Sequence, residues 1–170
     1  QAYAPFVRCP MLLLCSTNDV RFDYDRAYDT FSRINAEFAA DSIIAYSVQC
    51  DASIDGKSFE DMFMFLGKHL KGRQVFLPQN GDITVSVDGE QNLVATAKFA
   101  SSGDIKECGI YMAEDAIDSS IREWILCAPP KKISDNEFRT NLNVYKDTST
   151  LFVLSYATYA NGFTVWSKTA

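Results

Sequence analysis

The chain has 170 residues, 47% of them apolar and 22% charged, a balance that excludes a disordered protein and suits one or two compact domains. Its formal charge of −6 at pH 7 argues against nucleic acid or an anionic membrane surface as the main partner. No run reaches the length of a transmembrane helix, and the first residues lack the basic start and apolar stretch of a signal peptide.

The opening QAYAPFVRCP reads as the interior of a longer protein that enters a core strand within a few residues. Met11 to Cys15 is an unbroken apolar run between Pro10 and the polar turn Ser16-Thr17-Asn18-Asp19, the pattern of a strand covered on both faces. Asp23 to Ile34 sets Tyr24, Ala27, Tyr28, Phe31 and Ile34 at helical spacing. Asp23, Asp25 and Asp29 then make a solvated acidic face that suits the positive end of that helix. Ser42 to Val48 predicts a second strand. Ser58 to Leu70 predicts a second helix, striped by Phe59, Met62, Phe63, Leu66 and Leu70, with Ser58 and Asp61 resembling a capping box. Between them, Asp51 to Gly56 matches the first half of an EF-hand loop, but Met62 stands where the bidentate Glu is required, so the loop reads as a turn.

The order β-α-β-α makes the two strands parallel, joined by a right-handed crossover. Two such strands and two helices cannot cover both sheet faces or protect both edges. Residues 1–76 are therefore expected to be an incomplete domain, completed by an upstream segment or by a partner chain.

After Gly72 the texture changes. Pro78 and the Asn80-Gly81 turn close a linker, and short alternating segments follow. Strands are predicted at Ile83 to Val87, Leu93 to Phe99, Ile105 to Ala113, Ile121 to Cys127, Glu137 to Val144, Leu151 to Tyr159 and Phe163 to Ser167. Asn161-Gly162 marks a hairpin between the last two, and Lys131-Lys132 after Pro129-Pro130 reads as an exposed turn. Seven strands at this spacing predict a second domain over 81–170, an immunoglobulin-like β-sandwich. Of the aromatics Tyr145, Phe152, Tyr156, Tyr159, Phe163 and Trp166, at most half can face a sugar ligand, since alternation sends the others into the core together with Trp124.

Five cysteines, Cys9, Cys15, Cys50, Cys108 and Cys127, show no metal-ligand spacing. Cys108 and Cys127 lie on consecutive predicted strands, where they either meet across a hairpin or stay buried as free thiols. No metal or cofactor is called for by the sequence.

The stretch YAPFVRCPMLLLCSTND with the following DYDRAYDTF resembles the late sheet region of α/β-hydrolases, in particular secreted bacterial esterases akin to acetyl xylan esterases and dienelactone hydrolases. Val7-x-x-Pro10, the strand and Ser16-Thr17-Asn18-Asp19 follow that family's pattern, with Ser16 where glycine is common. FMFLGKHLKG resembles its closing helix, and ECGIYMAEDAIDSSIREW and TYANGFTVWS resemble the sandwich some members append. The resemblance implies an α/β fold followed by an all-β one, an extracellular or periplasmic setting, and Asp19 as the triad acid at a strand tip. The bland alternative for Asp19 is a turn aspartate.

Two parts of the family's machinery are absent. There is no G-x-S-x-G turn, and Ala52 takes the histidine position in VQCDASID. The sole histidine, His69, falls near the far end of the second helix, where it is expected to face solvent. Removing a triad base costs orders of magnitude in rate, so the chain as given is expected to be inactive as an esterase. The alternatives are a non-catalytic β-sandwich module that binds carbohydrate or a protein surface, and a pseudoenzyme that combines both.

Overall fold

The computed structural model describes residues 3–100 and 103–170. Strand β1 (Leu12–Ser16) pairs in parallel with β2 (Ile43–Ser47), Leu12 opposite Ile43 and Ser16 opposite Ser47. Between them the expected helix breaks into a 3-10 turn at Tyr24–Arg26, α1 (Ala27–Ser32) and α2 (Ala36–Ala39). The break falls at Asn35, whose side chain accepts from Glu37 N–H and starts α2 afresh. Helix α3 (Gly56–Lys71) follows β2 and ends on Gly72, which takes the left-handed conformation at φ 63°. Its N-cap is Asp55, which accepts from Ser58 N–H at 2.7 Å, so the capping pair anticipated at Ser58 and Asp61 is displaced.

The rest of the chain forms two four-stranded antiparallel sheets. One has β3 (Asp82–Val87), β4 (Leu93–Lys98), β7 (Lys131–Ser134) and β8 (Glu137–Asn141) in the order β3-β4-β8-β7. The other has β5 (Ile105–Glu114), β6 (Ile125–Leu126), β9 (Leu151–Tyr159) and β10 (Thr164–Trp166) in the order β10-β9-β5-β6. Ile83, Ala95, Ala97 and Phe138 of the first share a core with Ile110, Val153, Ala157 and Val165 of the second. Lys131 and Lys132, expected in a turn, belong to the edge strand β7, whose residues are all exposed. Its exposure explains why no apolar alternation announced it.

The expected architecture, the last strands and helices of an α/β-hydrolase sheet followed by a seven-stranded immunoglobulin-like sandwich, is not the one the chain adopts. Among the described residues the chain is mostly β with 21% helix, its parallel strand pairing is confined to β1 and β2, and one helix is long. The physical reason lies in what covers β1 and β2. A hydrolase sheet takes helices on both faces. Here Tyr24, Ala27, Ile44, Ala45 and Tyr46 share a cluster with Ala113, Trp124, Leu154 and Trp166 of the antiparallel part. One side of the parallel pair is thus covered from within the chain, while Leu12, Leu13 and Leu14 of β1 stay partly exposed and Phe59, Phe63 and Leu70 of α3 are exposed. On its outer side β1 has no strand partner among the described residues.

Polar groups lock the two parts together. The Asn80 amide bridges β2 to β10, accepting from Ile44 N–H at 2.9 Å and donating to Ile44 C=O at 2.6 Å and Trp166 C=O at 2.9 Å. Asp61 of α3 accepts from Thr164 N–H at 3.2 Å, so the free edge of β10 is occupied. At the other end lies Arg122, 0% exposed, whose guanidinium donates to both carboxylate oxygens of Asp25 at 2.8 and 2.9 Å. It also donates to Ala116 C=O and Ile117 C=O and stacks 3.5 Å from the Phe152 ring centre. Asp25 is therefore an ion-pair partner rather than one of a purely solvated acidic row.

Removing Asp25 leaves this guanidinium buried without a counter-charge. Asp25→Ala is expected to lower unfolding free energy by about 2–4 kcal/mol, less than for a fully buried pair because water reaches the Asp25 side. Urea denaturation checks this, and Asp25→Glu should recover part of the loss.

Candidate functional site

Asp19 sits just past the end of β1, as the sequence led one to expect. Its carboxylate accepts from Arg21 N–H at 2.8 Å, an Asx-type turn. Around it is an open depression of about 720 Å³ lined by Asp23, Asp25, Arg26 and Asp118, with no histidine. The buried polar side chains of this strand tip point elsewhere: Asn18 donates to Arg122 C=O at 2.7 Å, and Thr17 donates to Asn18. From the tip of β2, Gln49 accepts from Trp124 N–H at 2.7 Å. Both strand ends thus grip the Arg122–Trp124 segment.

His69 does not project freely into solvent. Its ring lies 4.5 Å from that of Phe65, and its Nε2 is buried without a hydrogen-bond partner. Burial first and neighbouring Lys68 second lower its pKa from the ordinary 6.5. Ala52 and its neighbours Asp51 and Ser53 are exposed, while Asp55 of the same loop caps α3. Among the described residues no group of three or more His, Cys, Asp or Glu is placed to hold a metal ion. All five cysteines are free thiols. Cys127 N–H donates to Ile110 C=O, a register that offsets it from Cys108, and burial pushes the two thiols up to about 11 and 12.

A cleft of about 270 Å³ opens where the two parts of the chain meet. Its floor is built by strand register. Tyr156 of β9 lies opposite Gly109 of β5 on one side and Trp166 of β10 on the other, and Thr158 lies between Glu107 and Thr164 in the next row. A Cβ at Gly109 would fall 2.3 Å from the Tyr156 ring, so only glycine lets that ring lie across β5. The rings of Tyr156, Trp166 and Tyr111 cluster with centres 5.3, 6.0 and 6.4 Å apart. Tyr156 donates its hydroxyl to Glu107 at 2.6 Å, and the hydroxyls of Thr158 and Thr164 pair at 2.9 Å.

The other wall comes from β2 and α3 through Val48, Asp55, Lys57 and Ser58. Lys57 donates to Asp61, which is 1% exposed, at 2.7 Å and to Gly162 C=O. Burial raises the Tyr111 phenol, and the Glu107 and Asp55 carboxylates raise it further. Burial and the bond to Glu107 push Tyr156 up as well.

Of the aromatics named from sequence, Tyr156 and Trp166 line the cleft. Tyr159 and Phe163 are core, Phe152 lies under Arg122, and Tyr145 stands 79% exposed elsewhere. Tyr111 and Glu107 were missed. The signal was present in ECGIYM, where alternation puts Glu107, Gly109 and Tyr111 on the face opposite core residues Ile110 and Met112.

No protein-family model matches the chain, and no curated protein matches it. Among solved structures, the pectate lyase PelI from Erwinia chrysanthemi, in complex with tetragalacturonic acid, is similar with a TM-score of 0.35 and 11% identity. The match covers 54% of this chain and 27% of that one, a likeness too slight to support an argument about fold or function.

The His69 environment makes a pH dependence testable. Its folded pKa lies below the unfolded one, so its contribution to stability is present above about pH 6.5 and is lost as pH falls through the folded value. His69→Phe, which keeps the contact with Phe65, should flatten the loss of stability just below pH 6.5 in denaturant midpoints measured against pH.

Proposed function

We propose that this chain is a non-catalytic recognition module whose cleft between β5, β9, β10 and α3 binds a carbohydrate. The observation that carries this reading is the pair of half-buried rings of Tyr111 and Tyr156, backed by the buried Trp166 ring, beside hydroxyl and carboxylate groups. Aromatic faces stack on the apolar faces of sugar rings, while hydroxyl and carboxylate groups engage sugar hydroxyls. The cleft is just below the usual range of about 300–1,000 Å³ for small-molecule pockets, a size for one or two sugar units rather than a long groove. Asp19 is already used by its own turn and has no base beside it, so the module reading does not depend on it.

Isothermal titration calorimetry against short oligomers of glucose, xylose, galactose, glucosamine and galacturonate tests the proposal. Binding of at least one is expected. Tyr156→Ala should weaken it by about tenfold or more, and Gly109→Ala, which displaces the Tyr156 ring, should do the same. Tyr145→Ala, far from the cleft, should leave it unchanged. Absence of binding to every oligomer, or full affinity in Tyr156→Ala, would overturn the reading.

A further inference from the structure

The charges around the cleft are unequal in a way that narrows its ligand. Lys57 is the cation on the wall, but its ammonium is held by the buried Asp61 carboxylate and by Gly162 C=O. That pair cancels within the protein. Glu107 and Asp55 remain. Glu107 accepts the Tyr156 hydroxyl through Oε1, and Asp55 accepts Ser58 N–H through Oδ1. Among the described residues no hydrogen bond or ion pair uses Glu107 Oε2 or Asp55 Oδ2. Two carboxylates with free oxygens therefore share the cleft with the half-buried rings of Tyr111 and Tyr156, and both act on the Tyr111 phenol.

An aromatic face attracts a cation through its quadrupole, and more strongly where water is partly excluded. Carboxylates beside the same face add Coulomb attraction, modest at the exposed Glu107 and stronger at the half-buried Asp55. The same arrangement repels a uronate carboxylate. Paired threonine hydroxyls at Thr158 and Thr164, with Ser58 opposite, suit a ligand that also carries hydroxyls. We infer that the cleft selects a protonated amino sugar over neutral and acidic sugars of the same size. This rests on the carbohydrate reading above and specifies which class of sugar it takes.

The experiment is calorimetric titration of the intact chain with short oligomers of glucosamine, N-acetylglucosamine and galacturonate. The glucosamine oligomer is expected to bind about tenfold more tightly than its N-acetylated form, and galacturonate more weakly than both. Glu107→Gln keeps an acceptor for the Tyr156 hydroxyl but removes the charge, and should bring the ratio between the first two close to one. Asp55→Asn, which retains a capping oxygen for α3, should narrow the same ratio and serves if the Glu107 variant does not fold by circular dichroism. Equal affinity for glucosamine and N-acetylglucosamine, or tightest binding of galacturonate, overturns the charge selection and leaves the carbohydrate reading standing. No binding of any of the three or of the wider panel overturns both.

Discussion

The arrangement depends on one buried cation. Arg122 has no access to water, and its desolvation is offset because five groups converge on it: the Asp25 carboxylate, two backbone carbonyls and the faces of Phe152 and Trp124. Burying an isolated charge costs many kcal/mol, so none of these contacts is optional. Asp25 comes from the helical layer over β1 and β2, and Arg122 from the connection between β5 and β6. The ion pair therefore ties the helical layer over β1 and β2 to the β5–β6 connection. Asn80 and Asp61 then complete the seam along β10, where an unpaired strand edge would otherwise face solvent.

This seam also explains the strand tips. In an open α/β sheet the carboxyl ends of strands carry the reactive groups, and CSTND after Met11 to Leu14 has that look. In the folded chain the buried members of the turn, Thr17 and Asn18, are committed to Gln49 and Arg122 backbone groups. Asp19, the member sequence reasoning favoured for chemistry, closes a turn on Arg21. The local pattern of apolar strand and polar tip was read correctly as a pattern. What the tip docks against lies over a hundred residues away, and no local periodicity reports that.

Legibility along the chain follows the same division. Helix α3 could be read from the helical spacing of its apolar residues, yet the stripe itself is not its buried side: Phe59, Phe63 and Leu70 are exposed, and the buried positions are Ser58, Asp61, Phe65 and Gly67. The strands of continuous or alternating apolar residues follow burial directly. Strand β7 escaped because it is exposed throughout. The cleft was half visible: Tyr156 and Trp166 were named as possible sugar-stacking aromatics, but Tyr111 and Glu107 lie on another strand, and only the β5–β9 register joins them. Gly109, which carries no chemistry, is the residue that makes room for Tyr156. The charge balance of the site was invisible for a related reason, since Lys57 is cancelled by a carboxylate that looked like a helix cap.

Both tryptophans of the chain, Trp124 and Trp166, belong to the cluster at the seam, each against a tyrosine of the parallel layer: Trp124 edge-on to Tyr24 and Trp166 edge-on to Tyr46. The protein's tryptophan emission therefore originates where its two layers touch. A melt followed by selectively excited tryptophan fluorescence reads the parting of those layers and carries no reporter in the sheet of β3, β4, β7 and β8.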